Sequence, residues 1–233
     1  MSRSANLDDV VAVARQLAVL KTRVVFTGGS IVALLLDHPE LSPIRATKDV
    51  DVIAEVFTRM EFTDLEARLR QLHFRHDTSE GAPSCRWLAA GIKVDVMPMR
   101  DPTGTLCNPW FELAVGTAQS RQVRGQRLLL VSAPCFLALK IAAFHGRGDG
   151  DFMGSHDLED LLSVVDGRAA LLEELAQAEQ GLRAWVGAAC AAFLADARFL
   201  ESLPGHLPPD EASQQRLPEL LQRLHRVAAL ARH

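Results

Sequence analysis

Apolar residues recur at helical spacing over residues 6–20, at Val10, Val13, Ala14, Leu17 and Leu20, which predicts a first amphipathic helix. Residues 23–27 (RVVFT) are a short β-branched run, read as a strand that stops at Gly28-Gly29. Ser30 stands where an N-cap belongs, ahead of the apolar stretch 31–36. After a loop with Pro39 and Pro43, residues 48–54 (KDVDVIA) alternate polar and apolar, as a half-buried strand does. Residues 61–72 read as a helix, 86–90 and 91–97 as two paired strands, and 121–131 as a strand or hairpin.

The texture changes at Pro134. Beyond it the periodicity predicts helices over 134–145, 155–165, 169–180, 182–200 and 209–231. Pro134 suits a first helical turn, and Ser155 suits an N-cap followed by the acidic Asp157 and Glu159. An α/β part, residues 1–132, therefore precedes a helical part, residues 133–233. The last helix carries Leu217, Leu220, Leu221, Leu224, Val227 and Leu230, a stripe for core or dimer packing. There is no internal repeat and no low-complexity tract.

Composition narrows the class. The 233 residues are 48% hydrophobic and 23% charged, which excludes disordered, collagen-like and disulfide-scaffold chains. Residues 1–132 hold 16 basic and 15 acidic side chains, residues 133–233 hold 9 and 14, so the parts carry +1 and −5. Neither has the basic excess of a protein held to nucleic acid by bulk charge, which leaves room only for a local RNA site. Arg121, Arg124 and Arg127 read as solvated positions, and His73, His76, His145 and His156 as surface histidines. With no tyrosine, phenolic chemistry is ruled out. Cys85, Cys107, Cys135 and Cys190 form no C-x-x-C pair and write no zinc motif; Cys135 and Cys190 sit in apolar helical contexts where a thiol is a small buried hydrophobe. No basic-then-apolar leader opens the chain, and nowhere do about 18 apolar residues run together. A reduced, cytoplasmic protein with no membrane partner is expected.

Three segments carry candidate chemistry. Gly28-Gly29-Ser30 lies between a strand and a helix, where glycines let backbone N–H groups approach a phosphate and the Ser30 hydroxyl adds a hydrogen bond. The same turn also serves as plain topology. Asp49 and Asp51 share one face of their strand while Val50 and Val52 fill the other. Such a pair is either a solvated strand face or an oxygen donor set for a hard divalent cation. Asp95, in KVDVM, alternates in the same way. If its strand neighbours that of Asp49 and Asp51, three acids converge, the ligand set of a two-metal phosphoryl or nucleotidyl transfer site.

The order of strand, Gly-Gly-Ser, helix, Asp-x-Asp strand and later Asp strand resembles the nucleotidyltransferase superfamily of the DNA polymerase β type. The match covers residues 24–97, on Gly29, Ser30, Asp49, Asp51 and Asp95. It implies an α+β fold whose mixed β-sheet is flanked by helices. It also implies that the turn at Gly28, Gly29 and Ser30 holds a nucleoside triphosphate, and that the three acids are catalytic and bind magnesium, with two Mg2+ ions expected.

The helical part holds a second constellation. Lysine occurs four times in the chain, and Lys140 lies inside CFLALKIAAFHGR between Phe136 and Phe144 on its own helical face. A buried ammonium needs an anion. Arg147 lies on the same stripe, and Asp157 and Asp160 share a face of the next helix. Either Lys140 and Arg147 pair with Asp157 and Asp160 to pin two helices, or they hold nucleotide phosphates. This lysine–arginine helix and aspartate helix resemble the helical half of AbiEii/AbiGii-type toxin nucleotidyltransferases. That resemblance implies a bilobed enzyme with its site between lobes, an RNA or protein acceptor, and an antitoxin partner. A small-molecule acceptor of antibiotic type and a catalytically inactive binding relative are the alternatives.

Overall fold

The computed structural model describes residues 2–42, 44–100, 108–147 and 150–232. Pro43 and Cys107, and Gly148 and Asp149 of the loop after Arg147, lie outside the described residues. The chain divides into two compact units, Met1–Ile31 with Arg45–Ser132, and Val32–Ile44 with Ala133–His233.

The first unit is built on a sheet of seven strands among the described residues. After α1 (Ser2–Leu17) come β1 (Val24–Thr27), a tight turn at Gly29–Ile31, α2 (Val32–Leu35) of the second unit, and β2 (Asp49–Ala54). Next come α3 (Arg59–Gln71), β3 (Arg75–His76), β4 (Arg86–Ala89), β5 (Ile92–Pro98), α4 (Phe111–Gly116), β6 (Gln119–Val123) and β7 (Gln126–Leu130). The strand order is β3-β4-β5-β2-β1-β7-β6. The sheet is mixed, since β2–β5 and β1–β7 run parallel while the other pairs run antiparallel. Thus the α+β class expected from the sequence holds. Val50, Val52, Val94 and Val96 are buried opposite their polar neighbours, so burying their apolar face fixes the register of the two central strands. Helix α1 lies against β2, β5 and β7 with Val10, Val13 and Leu17 buried.

Two turns position the acid-bearing strands and their neighbours. Ala90 and Gly91 take φ values of 50° and 85°, the left-handed pair of a two-residue hairpin, which locks β4 to β5 with Ala89 opposite Ile92. Counting back from that turn puts Arg86 opposite Asp95. The second turn follows β1. The sequence places Ser30 at a helix cap, but it lies inside the turn Gly29–Ile31 that runs on into α2, so its hydroxyl caps nothing.

The second unit contains α2 together with α5 (Ala133–Arg147), α6 (His156–Gly167), α7 (Leu171–Gln177), α8 (Gln180–Ala195), α9 (Ala197–Ser202), α10 (Glu211–Gln214) and α11 (Leu217–Ala229). Pro134 sits in the first turn of α5, and the Ser155 hydroxyl accepts from the Leu158 N–H, as its N-cap position predicts. Phe144, Phe152, Phe193 and Phe199 form an aromatic cluster with centroids 5.3–5.7 Å apart in the pairs Phe193–Phe199, Phe144–Phe152, Phe144–Phe193 and Phe152–Phe199. Arg168 ties the early segment in, donating to the Leu35 carbonyl at 2.8 Å while gripping Glu174 at 2.5 and 2.6 Å.

Some predicted elements differ in extent. The run 182–200 breaks at Asp196, whose backbone is extended and whose carboxylate accepts from Arg198 N–H to cap α9. The run 209–231 resolves into a short turn of helix and then α11, which buries Leu220, Leu224 and Val227. Strand β3 and helix α4 leave no trace in the hydrophobic pattern, because two and six residues are too short to show a period. No helix among the described residues is long and apolar enough to cross a membrane.

Candidate active site

The two acid-bearing strands are nearest neighbours. Strands β2 and β5 pair in parallel with Asp49 opposite Lys93 and Asp51 directly opposite Asp95. Because side chains alternate along each strand, Asp49, Asp51 and Asp95 share one face. One carboxylate oxygen from each lies within 4.8 Å of the others. Oxygens bound to a Mg2+ ion at about 2.1 Å are about 3 Å apart when adjacent and about 4.2 Å apart when opposite. Since three ligands hold at most one opposite pair, the oxygens draw together by up to about 1.8 Å per pair to form a cation's donor set. The set is wholly carboxylate, which fits a hard divalent ion.

On its other side β2 pairs with β1, placing Thr27 opposite Asp51. The chain then turns through Gly28 at φ +75°, and Asp51 lies over that turn. A Cβ built on Gly28 would stand 1.8 Å from Asp51 Oδ2 and 2.8 Å from Asp51 Cβ. Glycine is required here twice, for the left-handed backbone and for the space the carboxylate occupies. Ser30, two residues on, is 1% exposed, and its Oγ has no hydrogen-bond partner among the described residues. A buried hydroxyl left unsatisfied costs about 1–3 kcal/mol, so an unmet polar group stands two residues after the glycine that Asp51 packs against.

The residue that sequence reasoning missed is Arg86. Its Nε donates to Asp95 Oδ1 at 2.7 Å, its Nη2 to Asp95 Oδ2 at 2.7 Å, and Nη2 also to Asp49 Oδ2 at 2.8 Å. The side chain is 16% exposed, against 11% for Asp95 and 32% for Asp49. Hydrogen bonding to Asp95, with the Asp95, Asp49 and Asp51 charges, raises the guanidinium pKa above its already high ordinary value. The adjacent Cys85 registers the same negative field: burial first, then the charges of Asp95 and Asp51, push its thiol up to about 12. That thiol stays protonated and is no nucleophile. The missed signal was the hairpin, because pairing 86–90 with 91–97 through a two-residue turn puts Arg86 across from Asp95.

Lys140 and Arg147 lie on α5 in the second unit, paired with the acids of α6. Lys140 Nζ reaches Asp157 Oδ1 at 3.0 Å and Asp160 Oδ2 at 2.5 Å, with all three side chains under 10% exposed. Arg147 binds Asp157 with two parallel contacts, Nε–Oδ2 at 2.9 Å and Nη2–Oδ1 at 3.0 Å, while its own side chain stays 73% exposed. Burial works to raise the Asp157 pKa, but the Arg147 hydrogen bond and the Lys140 and Arg147 charges outweigh it and hold the carboxyl below its ordinary value. These pairs tie α5 to α6, one of the two roles the sequence allowed. Arg121, Arg124 and Arg127 are exposed on the β6–β7 hairpin, where Arg124 pairs with Asp8 and Arg127 donates to Ser120 Oγ.

Comparison with known proteins agrees at the level of fold. No protein-family model matches the sequence, and no curated protein does. Among solved structures, the chain is similar to an antigenic nucleotidyltransferase-like protein from Paracoccidioides brasiliensis, with a TM-score of 0.54 and 22% identity over 85% of this chain and 92% of that one. It also aligns with the antibiotic-resistance factor ANT(2'')-Ia, at 13% identity and a TM-score of 0.49 over 86% and 97% of the two chains. JHP933 from Helicobacter pylori aligns at 13% identity and a TM-score of 0.46, over 99% and 92%. The first of these likenesses shows a nucleotidyltransferase-like fold.

Proposed function

We propose that this protein is a metal-dependent nucleotidyltransferase, moving a nucleoside monophosphate from a nucleoside triphosphate to an acceptor hydroxyl or phosphate. The observation that carries the reading is the meeting of Asp49, Asp51 and Asp95 within 4.8 Å on neighbouring strands of a nucleotidyltransferase-like fold. In the reaction an acceptor oxygen attacks the α-phosphorus, a new P–O bond forms and pyrophosphate leaves. A divalent cation, magnesium in this reading, neutralises triphosphate charge and stabilises the attacking or leaving oxygen. Asp49 and Asp51 hold that cation, and Asp95 completes the donor set and orients the acceptor oxygen. The turn at Gly28 and Gly29 gives the triphosphate close approach to the backbone. Ser30, once a side-chain rotation brings its hydroxyl out, supplies a donor that is otherwise unsatisfied. In the helical unit Lys140 serves Asp157 and Asp160, and Arg147 serves Asp157.

Calorimetry of triphosphate binding with and without magnesium, on wild type and an Asp49→Ala/Asp51→Ala variant, tests the site. Magnesium-dependent binding by wild type alone is expected, and equal binding by both proteins overturns the assignment. The acceptor is identified by incubating the protein with α-labelled triphosphates and separate RNA, protein and aminoglycoside pools. Label in RNA or protein supports the toxin-like role with an antitoxin partner, and label in the aminoglycoside supports the antibiotic-type alternative.

A further inference from the structure

We propose that Arg86 is a resident cation of the acid cluster, standing in for one of two metal ions, so that the site takes a single divalent cation. This rests on the metal-dependent reading above. Two-metal centres place their ions about 3.5–4 Å apart, bridged by shared carboxylates. Here the guanidinium already bridges two carboxylates, with contacts of 2.7, 2.7 and 2.8 Å to Asp95 and Asp49.

Charge and geometry point the same way. Three carboxylates carry −3, Arg86 makes the cluster −2, and one divalent cation brings it to neutrality. In the nucleotide-free cluster a second dication would raise the total, arginine included, to +2, with the guanidinium side chain only 16% exposed. Such a like-charge contact in a partly desolvated site is strongly unfavourable. One ion, by contrast, need not evict the arginine. Each carboxylate oxygen accepts more than one bond, so Asp49 and Asp95 can ligate an ion while still receiving Arg86 N–H groups.

The arginine is also held from behind. It enters the cluster from β4 as the direct cross-strand partner of Asp95, on a hairpin closed by Ala90 and Gly91. A side chain donated by a sheet, with a planar fork matched to a carboxylate, is preorganised in a way a flexible surface arginine is not. Neutralisation of Asp95 is thus built into the fold and independent of metal concentration.

The test counts ions with Mn2+ alone as the probe. Titration is followed by calorimetry and by the electron paramagnetic resonance signal of free Mn2+, on wild type, Arg86→Lys, Arg86→Gln and Arg86→Met. Wild type and Arg86→Lys are expected to bind one Mn2+ per chain, and Arg86→Gln and Arg86→Met two. Only the two neutral variants should show the coupled spectrum of closely spaced manganese ions. Two ions on wild type overturn the inference even if every variant fails to fold. A single ion on both wild type and a folded neutral variant also overturns it, while leaving the metal-binding reading intact. No ion on any of the proteins overturns both.

Discussion

Replacing Gly28 with alanine probes the junction between the turn and the acids. An L-residue held left-handed costs about 1–2 kcal/mol. Stiffening the unfolded chain returns about 0.4–1 kcal/mol of that. The backbone effect alone is therefore about 1 kcal/mol. Gly125, in the β6–β7 turn at φ +78°, has nothing within 4 Å of a built Cβ, so Gly125→Ala isolates this part. At Gly28 the new methyl would stand 1.8 Å from Asp51 Oδ2, 2.6 Å from Cγ and 2.8 Å from Cβ. Overpacking of this kind adds about 1–3 kcal/mol, for a total near 2–4 kcal/mol. The relief available is rotation of the Asp51 carboxylate off the turn, which removes one oxygen from the cluster. Urea unfolding in EDTA should rank Gly28→Ala well below Gly125→Ala, and Mn2+ titration should show weakened binding in Gly28→Ala only. In an Asp51→Ala background the extra cost should shrink, because only the 2.8 Å Cβ contact survives. The reasoning fails if Gly28→Ala costs no more than Gly125→Ala and binds Mn2+ as wild type does.

Two more outcomes concern the helical unit. Lys140→Met removes the cation shared by the buried Asp157 and Asp160 while Arg147 stays on Asp157; breaking a buried pair costs about 3–5 kcal/mol, and a chemical-denaturation loss below about 1 kcal/mol would refute the structural role. Asp157 has a folded pKa below its ordinary 3.8, so its contribution to stability is fully present above that value and is lost as pH falls through and below it. The gap in urea midpoint between wild type and Asp157→Asn should therefore be constant above about pH 5 and narrow toward pH 3, and a gap that widens on acidification contradicts the sign.

The alternation in KDVDVIA and KVDVM makes each aspartate legible as a polar-face residue, because strand period is a local property. Their convergence is not local. It depends on β5 crossing over to lie parallel to β2 with Asp51 opposite Asp95, a pairing of residues 44 positions apart. Arg86 sits between the two cases: its register is set by a two-residue turn next to it in sequence, yet it matters only once the acids have met. The Ser30 expectation failed for a similar reason, since a cap and the interior of a tight turn use the same residues and the difference lies in how the chain leaves Gly29. The run 182–200 hid its break because Asp196 interrupts the backbone without interrupting the apolar period, Phe193 and Phe199 both being buried in one aromatic cluster.

The Ala90-Gly91 turn acts as a ruler. Its length decides which residue is delivered to Asp95, and side chains change in character from Cys85, just before β4, through Arg86, Trp87 and Leu88 on it. Adding one residue to the turn would slide a thiol or an indole to the place of the guanidinium and turn Arg86 toward the opposite face. The charge of the acid cluster is thus set by loop length as firmly as by the identity of the acids. Insertions in this hairpin, with every aspartate untouched, should retune the cluster's demand for metal.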